Sequence, residues 1–170
     1  MPRHAINQHI DSIRLLDYDY SQPGAYFVTL CTNYKIDMFG EVVDNEMHLN
    51  HAGEIAREMW KTIPERFPGV ELDHFVIMPN HMHGIVVITA ESYESKRKPM
   101  LGDIIRAFKA LTTQSIRRSG MVEFGWQYNY YEHIIRTNHP EALETIRQYI
   151  ENNPSRWMED KLNSMPANML

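Results

Sequence analysis

Two histidines one residue apart, His81 and His83, open an apolar run within HFVIMPNHMHGIVVI, residues 74–88. On either side of a Met-Pro-Asn turn the pattern is that of a buried strand. Side chains at i and i+2 of a strand point to the same face, so the two imidazoles stand side by side. That arrangement suits a metal ion. A His-x-His pair alone is a weak signal, and its meaning depends on what the rest of the chain brings to it. The second chemically loaded stretch is basic. From residue 96 to residue 120 the chain carries Lys96, Arg97, Lys98, Arg106, Lys109, Arg117 and Arg118 against one acid, Asp103. A local field of that sign can hold a phosphate backbone.

The elements that must position these residues follow from pattern and punctuation. Residues 25–32 (AYFVTLCT) are aromatic and β-branched and predict a strand. EVVDNEMHL predicts a small hairpin with Asp44-Asn45 at its turn. Ile55, Met59, Trp60 and Ile63 recur at helical spacing and predict a helix over about 50–63, stopped by Pro64 and the Phe67-Pro68-Gly69 group. Strands are expected over 70–78 and 84–89, flanking the histidine turn. Residues 90–99 are polar, charged and aperiodic, and read as a linker. A second helix is predicted over 101–118, with Ile104, Ile105, Phe108 and Leu111 inward and Ser119-Gly120 closing it. A strand is expected from about Tyr130, then a third helix with Pro140 in its first turn and Pro154 ending it. The tail is expected to add one short helical piece near 157–162.

Without the early hairpin this order is βαββαβ plus a helix. It predicts an α+β fold, a ferredoxin-like antiparallel sheet with helices packed mainly on one face. The expected divisions are an N-terminal extension (1–23), one domain (24–154) and a tail (155–170).

Composition narrows the function classes. The chain has 170 residues, 43% of them hydrophobic, which fits one globular domain. Cys31 is the only cysteine, which favours a reducing compartment and excludes an intrachain disulfide. No signal-like or membrane-length apolar segment is visible, so a soluble, cytoplasmic protein with no membrane partner is expected. The net charge of −5 argues against a generic nucleic-acid binder, and leaves the basic stretch as the local exception. A barrel hydrolase built on His-x-His needs roughly 250 residues, more than this chain has.

Taken jointly, HFVIMPNHMHGIVVI, AYFVTLCT, LGDIIRAFKALTTQSI, WQYNYYEHIIR and LETIRQYIENNP resemble, in order, the IS200-like and REP-associated tyrosine transposases of the HUH single-tyrosine endonucleases. The resemblance spans about residues 22–162. It implies an enzyme that cuts and rejoins single-stranded or hairpin DNA through a 5′-phosphotyrosine link. It places the nucleophile on Tyr149 and the metal ligands on His81, His83 and Asn153, with Mg²⁺ or Mn²⁺ as the ion. The seven basic residues above become the DNA contacts. The resemblance leaves open whether the chain acts as a monomer or as a homodimer with exchanged helices. The alternative is a domesticated protein that grips hairpin DNA without cutting it.

The chemistry is coherent. A phenol with a pKa near 10 is a poor nucleophile at neutral pH, and a nearby cation favours its phenolate. Tyr149 and Asn153, four residues apart, share a helix face. A covalent link conserves the energy of the broken phosphodiester, so rejoining needs no nucleotide. One geometric requirement follows: the helix bearing Tyr149 must lie over His81 and His83.

Overall fold

A computed structural model describes residues 18–90, 98–135, 139–160 and 162. Lys96, Arg97, most of the expected N-terminal extension and most of the tail lie outside the described residues. Strand β1 is Gly24–Cys31. The hairpin β2 (Gly40–Val43) and β3 (Glu46–Leu49) turns at Asp44 and Asn45, whose φ values of 52° and 65° lie in the left-handed region that Asp and Asn tolerate. Helix α1 (His51–Lys61) starts at Asn50, whose side chain accepts a 3.0 Å bond from the Gly53 N–H. A one-turn helix α2 (Ile63–Arg66) follows, so the expected single helix breaks at Thr62, just before Pro64.

Strands β4 (Val70–Met78) and β5 (His81–Ile88) flank the Pro79-Asn80 turn. Helix α3 is Leu101–Arg118, and it buries Ile104, Ile105, Phe108, Thr112 and Ile116. After it come β6 (Tyr131–Ile135) and helix α4 (Pro140–Glu151). The short helical piece expected in the tail is a 3₁₀ segment, Pro154–Glu159, somewhat earlier than its sequence placement.

The main sheet is wholly antiparallel in the order β4-β5-β1-β6. This is the ferredoxin-like order, and the fold is α+β as expected. On one face Tyr26, Val28, Leu30, Met82 and Val86 meet Trp60 of α1 and Ile104 and Phe108 of α3 in the larger core. Gly84 makes this packing possible: a Cβ there would lie 2.5 Å from Trp60 Cζ2. The opposite face carries Phe27, Ile85 and Ile135 with Ile150 of α4, a much smaller apolar cluster. His81 and His83 alternate with Met82 and Gly84, and so project onto this second face. Among the described residues no helix is long and apolar enough to cross a membrane.

Candidate metal and tyrosine site

Helix α4 is clamped over the histidine face by charge. Arg147 forks onto Asp73 through Nε (3.0 Å) and Nη2 (2.6 Å), and His74 Nε2 lies 2.9 Å from Glu151. The sequence of β4 provides for this locally. Its register with β5 shifts between Leu72 and Phe75, and the irregularity presents Asp73 and His74 to the helix. The Arg147 guanidinium holds the Asp73 carboxyl well below the usual carboxylate range, and Asp73, followed by Glu151, raises the basicity of His74.

That docking brings Tyr149 to the histidines within one chain. Its hydroxyl is 3.4 Å from His83 Nε2, and its ring packs 5.2 Å from the His83 ring and 6.1 Å from Phe27. Tyr149 is 42% exposed, so a substrate can reach it. Asn153, one helical turn on, is buried and bears on the proton affinity of both His81 and Tyr149.

Hydrogen bonds define the state of His81. The Asn80 Nδ2 donates to the carbonyls of Lys35 (3.1 Å) and Leu162 (2.6 Å), which leaves Asn80 Oδ1 as the acceptor 2.8 Å from His81 Nδ1. Nδ1 therefore carries the proton, and the lone pair sits on Nε2. The His83 ring is oriented by a hydrogen bond at Nδ1, 2.8 Å from Thr29 Oγ1, a hydroxyl that can donate or accept. Burial lowers the pKa of His81 to about 4 against the opposing pull of Asp160. Burial and the neighbouring His81 hold His83 well below its usual value. Both rings are neutral near pH 7, the form that ligates metals.

Asp160 joins the site without any signal in the sequence pattern. The 3₁₀ segment lays Trp157 against His81 (ring centroids 5.9 Å apart) and returns Asp160 to within 3.6 Å of His81 Nε2. Asp160 Oδ1 accepts a 2.8 Å bond from the Leu162 N–H. His81 Nε2, Asn153 Oδ1 and Asp160 Oδ2 are all buried without a hydrogen-bond partner among the described residues. Three convergent orphaned atoms are costly in a protein interior. Two imidazole nitrogens and two oxygens are a donor set that a divalent cation satisfies. His81, His83 and Asp160 offer ligand atoms within 4.8 Å of one another. The residues present thus fit a metal ion. Without one, burial and then Asp160 push the Tyr149 phenol above its usual pKa.

The basic residues expected to touch DNA fare differently. Arg106, Lys109, Arg117 and Arg118 all lie along α3, beside a groove on the opposite side of the sheet from Tyr149. Lys109 is taken up internally: its Nζ donates to the carbonyls of Gln127 (2.8 Å), Tyr128 (3.3 Å) and Asn129 (3.3 Å). Lys98 is exposed at the approach to α3.

No family model matches the chain. It is 38% identical over 169 residues to an uncharacterized protein of Haemophilus influenzae, covering 91% of this chain and 93% of the relative. In solved structures, the fold is shared with a REP-associated tyrosine transposase bound to a REP hairpin, at a TM-score of 0.58 and 19% identity over 85% of this chain and 74% of that one. It is shared too with a candidate transposase from Deinococcus radiodurans R1, at a TM-score of 0.51 and 16% identity over 82% and 97% of the two chains. The chain belongs to one family with the Haemophilus influenzae protein, and it resembles the IS200-like and REP-associated tyrosine transposases in motif and fold.

Proposed function

We propose that this protein is an HUH-type single-tyrosine transposase that nicks and transfers single-stranded, hairpin-forming DNA in the cytoplasm. The observation that carries the reading is the meeting of Tyr149 with His83 at 3.4 Å, beside the orphaned atoms of His81, Asn153 and Asp160. Tyr149 Oη attacks the scissile phosphorus, and an O–P bond forms as the bond from phosphorus to the 3′ oxygen breaks. The phenolic proton passes to solvent, and the departing 3′ oxygen takes a proton from solvent. The 5′ side stays on Tyr149 as a phosphotyrosine, and the freed 3′-hydroxyl can attack it later to reseal.

His81, His83, Asn153 and Asp160 would hold the divalent metal, which when bound would supply positive charge to stabilise the phenolate and the phosphoryl oxygens. Asn80 and Thr29 fix the ring orientations through the Nδ1 atoms. The carboxylate and amide oxygens suit Mg²⁺ or Mn²⁺, and the imidazoles tilt the preference toward Mn²⁺. Lys98, Arg106, Arg117 and Arg118 neutralise backbone phosphates, whereas Lys109 supports the loop it bonds. Because Tyr149 reaches the histidines of its own chain, a monomer suffices for the first cut.

The test is adduct formation. Hairpin-forming single strands are incubated with the protein and Mn²⁺, then resolved under denaturing conditions. Wild type is expected to carry covalently bound DNA, and chelator or Tyr149→Phe to abolish it. Equal adduct yields from wild type and Tyr149→Phe would refute the assignment of the nucleophile. Hairpin binding that survives chelator, with no adduct under any divalent metal, would mark a binding protein instead.

A further inference from the structure

The groove on the far side of the sheet has features that the cutting site does not require. It encloses about 1300 Å³ between α3 and residues 125–130, above the roughly 300–1,000 Å³ of a small-molecule pocket. Arg106, Arg117 and Arg118 line it; Arg106 pairs with Asp103 (2.8 Å) just outside the groove and Arg117 Nε donates to the Phe124 carbonyl (2.8 Å), which anchors both guanidinium groups, and no carboxylate is among the lining residues themselves. On a chain of net charge −5, a groove of that sign selects for an anion. Its loop is held from beneath by the three carbonyl bonds of Lys109, whose pKa burial lowers to about 8. The loop so fixed turns Tyr128 out until it is 97% exposed. A ring so placed, at the mouth of a basic groove, leaves both of its faces open to a flat partner. Gln114 and Asn129 beside it offer donors and acceptors of the kind that read base edges. Trp126 also lines the groove, and its indole Nε1 has no hydrogen-bond partner among the described residues.

The groove also lies at the catalytic end of the sheet. Tyr131 pairs with Thr29, and Thr29 pairs with His83 across β1. Neighbouring strands are about 4.8 Å apart, so the backbones of Tyr131 and His83 are about 10 Å apart. Tyr130 lines the groove, while Tyr131 packs against Phe27 on the catalytic face, with ring centroids 6.4 Å apart. Consecutive residues at the start of the edge strand β6 therefore face the two sites.

We propose that this groove is a binding site for an unpaired stretch of the DNA strand, with one base stacked on Tyr128 and its phosphates on Arg106, Arg117 and Arg118, and that the strand passes round the start of β6 to the tyrosine site. An exposed ring can stack only on a base that is not already inside a duplex, so the groove selects single strands. This inference rests on the nuclease reading for its substrate, but its test is separate. A fluorescein-labelled oligo(dT) strand of about 20 nucleotides, followed by anisotropy, is expected to bind Tyr128→Ala about tenfold more weakly than wild type, and Tyr128→Phe nearly as well as wild type. The same strand carrying iodouracil is expected to crosslink to Tyr128 under light. Unchanged affinity in Tyr128→Ala, or crosslinks confined to other residues, would overturn the groove. If metal-dependent adducts form while binding ignores Tyr128, the groove fails and the nuclease reading stands. If Tyr128 crosslinks but no strand yields an adduct, the groove stands and the nuclease reading fails. A wild-type protein that binds no strand overturns both.

Discussion

The two faces of the sheet are built on opposite principles. On one, Trp60, Tyr26, Phe108 and their neighbours form a continuous apolar core, and Trp60 sits so close over β5 that only glycine fits at position 84. On the other, a smaller apolar patch shares the surface with two buried imidazoles, a buried amide and a carboxylate that leave polar atoms unsatisfied. The first face can carry the free energy of folding. The second gives up some of that stability to atoms whose partners must come from outside the chain. The same strands supply both, because β5 alternates His81, Met82, His83 and Gly84 between the faces.

This division can be broken from either side. The largest effect is expected from Trp60→Ala, which empties a fully buried site and should destabilise the protein by about 3–5 kcal/mol, seen as a lower denaturation midpoint with or without metal. A loss that disappears on adding Mn²⁺ would show that the two faces are not independent. Next comes Asn80→Ala, which removes the acceptor that keeps the His81 lone pair on Nε2. Mn²⁺ affinity should fall about 10–100-fold by calorimetric titration, with a smaller change in the stability of the metal-free protein. Unchanged affinity would mean that Asn80 does not set the tautomer.

The smallest effect tests the contrast through pH. His81 has a folded-state pKa of about 4, below its unfolded value near 6.5. Between those values the unfolded chain binds more protons than the folded one. Through His81, stability of the metal-free protein therefore falls as pH drops from about 6.5 toward 4; His83 acts in the same sense, and Asp73 extends the loss below that range. Saturating Mn²⁺ should make that decline steeper, because protonation then also expels the ion. His81→Phe should flatten it, as followed by thermal melts across the range. A slope equal to wild type in His81→Phe would assign the acid sensitivity to other groups.

Much of this arrangement is legible in the chain. The alternation around the Pro79-Asn80 turn puts both histidines on one face, because the period of a strand is strict. The four-residue spacing of Tyr149 and Asn153 predicts one shared side, although Asn153 lies two residues past the end of α4, at the start of the 3₁₀ segment. The order of apolar runs and breakers yields the βαββαβ plan. Asp160 is not legible. It lies in an aperiodic tail, and it reaches His81 only because the 3₁₀ segment folds Trp157 onto that ring and the Leu162 carbonyl bonds Asn80. Lys109 misleads for a related reason. Its charge suggests phosphate, while its surroundings commit it to three carbonyls on a loop some twenty residues on.

Local periodicity is enough to say which residues share a strand face or a helix face, where elements stop, and which residue types are available for phosphodiester chemistry. Which of those faces meet is a matter of tertiary contacts. The Asp73–Arg147 fork docks Tyr149 over His83, Asn80 selects the His81 tautomer, and Asp160 closes the donor set. These outcomes turn on residues distant in the chain, and local pattern carries no information about such distances.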